Sequence, residues 1–242
     1  IHDDIVDDAQ IRRSAFSINT IWKNKIAVLT GDYFLAKGLK IALINKDYDI
    51  LNCISNVVEK MVEGELMQLE KTKQLNLTES DYFKIINLKT GSLFECAFEI
   101  GTTSSNADKK TCEKVIKLGT LIGRLFQIKD DILDYSNQKL IGKNTGIDIK
   151  EGKINLPLLQ ALKKMSAIDK GRVFNILRKK RKTINEINFV QDLVIKHDGI
   201  NYAQSIIDRD YHHARNILTG FNDGKYKKAI YLLLKFLVER VK

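Results

Sequence analysis

Two acidic quintets, Asp3-Asp4-Ile5-Val6-Asp7 and Asp130-Asp131-Ile132-Leu133-Asp134, are the residues in this chain best placed to do chemistry. On a helix, residues four apart lie one turn above each other, so Asp3 and Asp7 share a face, as do Asp130 and Asp134. Carboxylates held this close raise one another's pKa unless a countercharge is supplied, and a divalent cation supplies it. An all-oxygen donor set points to magnesium, which keeps several waters and bridges carboxylates to phosphate, so the implied substrate is a diphosphate. One such quintet alone reads equally well as solvated helix surface. Two shift the balance, and the second interrupts a helix otherwise suited to burial, where unpaired charge is expensive.

Cations follow each quintet. Arg12 and Arg13 come just after the first, and Lys143 and Lys153 frame a polar stretch after the second. Arginine offers a planar fork to phosphate oxygens and lysine a compact charge, although each of these residues singly reads as surface decoration.

The elements that must position these groups are helical. Apolar residues recur at three- and four-residue spacing over 25–43, 50–69 and 82–100, and no strand alternation competes. The run Val115, Leu118, Leu121, Ile122, Leu125, Phe126, Ile128, Ile132 is broad enough for a central helix buried on most sides, and it leads into the second quintet. Between Tyr135 and Asn155 the pattern gives way to a glycine-bearing functional loop, and Pro157 then opens another helix. From Leu156 to Val241 four or five shorter helices follow, with boundaries at 183–186 and 198–199. The fold class expected is an all-α bundle around a central cavity, in one domain spanning 1–242.

Composition narrows the function classes. The 242 residues, 44% hydrophobic with a single proline, suit one continuous helical body. The net charge of +10 permits nucleic acid, anionic membrane or phosphorylated metabolites as partners. Its densest cluster, Arg178 to Lys182, lacks interleaved aromatics or a recognisable module, which argues against nucleic acid. Cys53, Cys96 and Cys112 lack metal-ligand spacing and cannot all pair internally, which fits a reducing cytoplasm. No apolar run is long enough to span a bilayer.

Taken together, the residues resemble the trans-polyprenyl diphosphate synthases, most of all the bacterial long-chain members that make quinone side chains. The carriers are His2 to Asp7 with Arg12-Arg13, Gly31-Asp32, Glu63-Gly64-Glu65, Lys89-Thr90-Gly91, Phe126-Gln127 with the second quintet, and Gly142-Lys143 through Gly152-Lys153 to Leu156-Pro157. The resemblance implies that Asp3 and Asp7 hold two magnesium ions on one side of an allylic diphosphate, and that Asp130, with Asp134 in the same motif, holds a third on the other. It implies that Arg12, Lys89 and Lys153 contact that diphosphate, with Thr90 beside them, and that Arg13 meets isopentenyl diphosphate. The same resemblance implies that Gln127 lies near the reacting carbons and that Lys143 belongs to a closing loop. A homodimer is implied, and transient membrane association at product release is compatible with it. A tunnel lined by side chains such as Phe34, Leu35 and Phe98 would shield the carbocation, although core packing is the commoner use of each.

Two departures from the family pattern stand out. The basic isopentenyl diphosphate site that the family carries upstream of its first quintet is missing, which leads us to expect further amino-terminal helices and no activity from these residues alone. Ser14 also stands where glycine is usual. The stretches 63–68 and 16–19 resemble long-chain enzymes more than farnesyl synthases. The rival readings are a short-chain farnesyl or geranylgeranyl synthase, a non-catalytic regulatory subunit and a class I terpene cyclase. The intact quintets argue against the last two.

Overall fold

The computed structural model describes residues 1–6, 9–12, 15–135 and 146–240, with Arg12 described by its backbone alone. These residues fold into two compact units, Ile1–Ser55 and Asn56–Lys242.

The first unit opens with the short helix α1 (His2–Val6), which carries Asp3 and Asp4 in its first turn. A two-residue hairpin follows, β1 (Ile11–Arg12) antiparallel to β2 (Ala15–Phe16), in the register Ile11 to Phe16 and Arg12 to Ala15. Strands this short leave no alternation for the sequence to display, so the expectation of helices alone missed them. Ser17 and Asn19 fasten the segment. The Ser17 hydroxyl donates to the Ala9 carbonyl (2.6 Å), and the Asn19 amide donates to the carbonyls of Asp4 (3.3 Å) and Ala9 (3.2 Å). Helix α2 (Ile18–Ile44) comprises two helical runs joined at Lys23 and receives α1 along its side. The His2 Nε2 lies 3.1 Å from the Val28 carbonyl and 3.2 Å from the Asp32 carboxylate. Gly31 leaves that ring its space, since a Cβ there would come within 2.5 Å of it.

Helix α3 (Tyr48–Gln74) begins in the first unit and continues into the second. There the chain adds α4 (Glu79–Ile86), a π-helical turn over Asn87–Gly91, α5 (Ser92–Ser104) and α6 (Lys109–Leu133). The central helix expected from the apolar run is α6. Leu118, Ile122, Leu125 and Ile128 are fully buried along it, and it packs against α5, α11 and α12 as well as the π turn. After α6 come α7 (Ile147–Glu151), α8 (Leu156–Lys164), α9 (Ala167–Arg178), α10 (Ile184–Lys196), α11 (Gly199–Thr219) and α12 (Lys225–Glu239).

The starts of these helices follow their caps. Asp108 accepts the Thr111 amide to begin α6, and Asn155 accepts the Leu158 amide to begin α8, with Pro157 in its first turn. Thr183 and Glu186 form a reciprocal capping box at α10, one of the boundaries expected. A second hydrophobic cluster, with Tyr135, Ile149, Leu158 and Val190 among its members, sits under α7, α8 and α10. The stretch expected to be an irregular loop is therefore helical where α7 docks. Among the described residues no helix is long and apolar enough to cross a membrane.

Candidate functional site

The second unit brings α3, the π turn, the end of α6 and α7 together around one cleft. Gln68, Lys71, Tyr82, Lys89, Thr90, Gln127, Asp131, Asp148 and Lys153 line it. The π turn is what aims Lys89 and Thr90 at it. A wider turn inserts one extra residue into a helix and re-aims the side chains it carries. The turn also presses on α3, where a Cβ at Gly64 would lie 2.8 Å from the Lys89 nitrogen, so the Glu63-Gly64-Glu65 sequence needs a residue without a side chain at its centre. The Lys89 ammonium then bonds to Glu65 (2.5 Å) and Gln68 (3.0 Å), one turn apart on α3.

From Thr90 a chain of hydrogen bonds runs inward. The Thr90 hydroxyl donates to the Gln127 carbonyl oxygen (3.0 Å), and the Gln127 amide donates to the Asp131 carboxylate (3.1 Å). Asp131 also accepts from the Tyr82 hydroxyl (2.6 Å). Asp131 is buried, and burial together with the neighbouring Asp148 pushes its pKa up to about 8. Burial and the adjacent Asp134 raise Asp148 as well, against the pull of an Asn155 hydrogen bond and the nearby Lys153 and Lys89. The cleft thus sets two carboxylates raised by burial, Asp131 and Asp148, close together, the condition in which a hard cation or a proton becomes favourable.

Asp131 therefore takes up a proton on folding. Its share of stability is fully present below about pH 4, the usual carboxylate pKa, and is lost as pH rises through its folded value of about 8. With magnesium chelated, Asp131→Asn should gain thermal stability over the wild type as pH rises, by roughly 5 °C near pH 9 and little near pH 5. Scanning calorimetry across that range checks this, and a gap independent of pH would refute it.

The other predicted residues divide. Asp130 projects with a side chain 42% exposed and accepts from the Arg240 guanidinium (2.5 Å), which also donates to the Phe126 carbonyl (3.0 Å) and lies over the Phe126 ring. Lys153 pairs with Glu151 at 2.7 Å beside the cleft. Asp134 closes α6, its amide donating to the Asp130 carbonyl (3.2 Å). It is the C-cap of α6 rather than part of its last turn, and its buried carboxylate accepts the backbone amides of Ile147 (2.9 Å) and Asp148 (3.1 Å). Asp3 is exposed on α1, in the first unit. Asp7, Arg13 and Lys143 lie outside the described residues, as does the side chain of Arg12. Of the tunnel candidates, Phe98 packs against the α6 core, whereas Phe34 and Leu35 are exposed on α2.

Tyr82, Asp148 and Arg240 were missed as site residues. Tyr82 looked like the first apolar residue of an amphipathic helix, and Asp148 one polar residue among many in a loop. Only Asp131, inside the second quintet, carried a usable signal.

An all-α bundle whose central helix ends in an acidic quintet beside a lysine-bearing cleft has the isoprenoid synthase fold. The family model for polyprenyl synthetase matches residues 1–194, and the chain belongs to that family. It is 28% identical over 243 residues to the octaprenyl diphosphate synthase of Haemophilus influenzae, covering 99% of this chain and 73% of that one. It is 30% identical over 240 residues to the nonaprenyl diphosphate synthase of Mycobacterium tuberculosis, covering 99% and 71%. Among solved structures, a polyprenyl synthase from Caulobacter crescentus complexed with calcium and isoprenyl diphosphate superposes with a TM-score of 0.91 at 29% identity, over 100% of this chain and 74% of that one.

Proposed function

We propose that this protein is a prenyltransferase that condenses isopentenyl diphosphate with an allylic diphosphate to make a long trans-polyprenyl diphosphate for quinone biosynthesis. The observation that carries this reading is the cleft where Lys89, Thr90, Gln127 and Lys153 meet the carboxylates at the end of α6. Family membership and the octaprenyl and nonaprenyl relatives support the chemistry and the long product.

The donor set fits magnesium. It is all carboxylate oxygen, and a hard cation nearby would offset the Asp148 charge that, after burial, holds the Asp131 pKa up. Asp3, Asp7 and Asp130 are the groups to hold it, with about three ions per site. Bound magnesium would draw off the negative charge that builds on the departing diphosphate.

The chain's own residues do the rest. Lys89 and Lys153, with Arg12, bind the allylic diphosphate and stabilise its charge as the carbon–oxygen bond ionises. Arg13 and Lys143 serve the isopentenyl diphosphate and the closing loop. The Thr90–Gln127–Asp131–Tyr82 chain holds Gln127 in one orientation beside the reacting carbons. The double bond of isopentenyl diphosphate then attacks the allylic carbon, and the proton lost goes to the released diphosphate. Leu77, Ile85, Ile86 and Ile154, which also line the cleft, help exclude water from the cation. Exposed apolar residues of α2, including Ile21, Trp22, Leu29 and Tyr33, support a homodimer. A cytoplasmic setting fits the buried Cys53 and Cys96.

Incorporation of radiolabelled isopentenyl diphosphate by the complete gene product, with farnesyl diphosphate and magnesium, tests the reading. Product chains that vanish with chelator support it, and their length distinguishes a long-chain from a short-chain enzyme. A folded protein that incorporates nothing would sink it in favour of a regulatory subunit.

A further inference from the structure

We propose that Asp134, the last carboxylate of the second quintet, is a positioning residue that pins α7 to the end of α6 and so sets Asp148 and Lys153 in the cleft, rather than a metal ligand. The inference rests on the prenyltransferase reading above for its kinetic consequence, but not for the contact itself.

Both carboxylate oxygens of Asp134 are engaged by backbone. Oδ1 accepts the Ile147 amide and Oδ2 the Asp148 amide, at 2.9 and 3.1 Å, and the Asp134 carbonyl accepts the Gly146 amide (3.0 Å) and the Gln191 side-chain amide (3.1 Å). The first amides of a helix have no partner within it, and a carboxylate there gains from both the hydrogen bonds and the helix dipole. A cation on Asp134 would have to compete with these bonds in a buried setting. Gly146 makes the geometry available. Its φ of +76° is open to few other residues, and a Cβ there would lie 2.5 Å from Ile187.

The far end of α7 is held too. The Lys182 ammonium donates to the Lys150 carbonyl (2.9 Å) and the Lys179 carbonyl (2.8 Å), capping the last turn. Between the two anchors lies Asp148, which accepts from the Asn155 amide (2.8 Å), and just beyond α7 comes Lys153. A five-residue helix does not hold itself together, so its place depends on these outside contacts. Thus the same quintet divides its labour: Asp130 is the partly exposed carboxylate, and Asp134 fixes the element that brings a lysine to the diphosphate.

The test compares wild type with Asp134→Asn and, as a milder loosening of the far anchor, Lys182→Met. Hydrogen exchange at the Ile147 and Asp148 amides should speed up about tenfold or more in Asp134→Asn, because the amide keeps one acceptor and turns a donor toward the other N–H. The KM for the allylic diphosphate should rise about tenfold, with kcat and the half-saturating magnesium concentration each within about twofold of wild type. Lys182→Met should raise the same KM by about threefold and leave the magnesium curve in place. A tenfold shift in half-saturating magnesium with unchanged amide exchange would overturn the proposal and make Asp134 a metal ligand. Faster exchange with an unchanged KM would overturn the positioning role. If the wild type incorporates no isopentenyl diphosphate, the functional reading falls separately, while unchanged exchange in Asp134→Asn would still overturn the anchor.

Discussion

Asp130→Ala should lower the rate of isopentenyl diphosphate incorporation roughly a thousandfold at saturating substrates and magnesium, the scale on which removing a group that stabilises leaving-group charge is felt. Asp130 is suited to this by its position. It ends the buried α6 run yet projects with a side chain 42% exposed, and Arg240 holds one of its oxygens. The change also removes the carboxylate facing a guanidinium that is only 15% exposed, so part of its effect could come through folding. Thermal melts separate the two, and Arg240→Met removes the guanidinium and its contacts with Phe126 while leaving the Asp130 carboxylate in place. A variant that keeps more than about a tenth of wild-type turnover would remove Asp130 from the groups that hold the cation.

The second large effect is expected at Lys89. Lys89→Ala should reduce kcat/KM by about a hundredfold, with most of the change in KM for the allylic diphosphate, as loss of a charge-assisted phosphate contact predicts. Its ammonium lies against Glu65 and Gln68, so a diphosphate drawn to it would exchange one anionic partner for a more highly charged one. Glu65→Gln should therefore leave kcat close to wild type. Steady-state incorporation over a range of farnesyl diphosphate concentrations decides the matter, and equal KM values for Lys89→Ala and wild type would remove Lys89 from the diphosphate site.

Much of the bundle was legible because its signals are local. The apolar period of α6 runs from Val115 to Ile132, and Pro157 and the Thr183–Glu186 box mark helix starts by chemistry confined to a few residues. Asp130, Lys89 and Gln127 could be picked out because they stand in recognisable patterns, and the structure brings Lys89 and Gln127 to one cleft. What stayed hidden depends on contacts far apart in the chain. Arg240 reaches Asp130 across 110 positions, and Tyr82 reaches Asp131 across 49. Neither partner announces itself, because a terminal arginine and a half-apolar tyrosine have many ordinary uses. Asp134 also has partners that no local spacing reports. Its carboxylate accepts the amides of Ile147 and Asp148, beyond the end of α6 at Leu133.

The π turn at Asn87–Gly91 has a consequence for how such a chain can vary. Counted along the sequence, it is a one-residue insertion into what would otherwise be a single helix running from Glu79 to Ser104. Deleting any one of its five residues would let the rod close into uninterrupted α-helix, and everything on one side would turn by about 100° relative to the other. Tyr82 could then keep its bond to Asp131, or Phe94 and Phe98 could keep their places against α6, but not both. Insertions and deletions should be tolerated poorly at this point, although it lies on a stretch that reads as ordinary helical sequence, and readily in the exposed turn around Asn106.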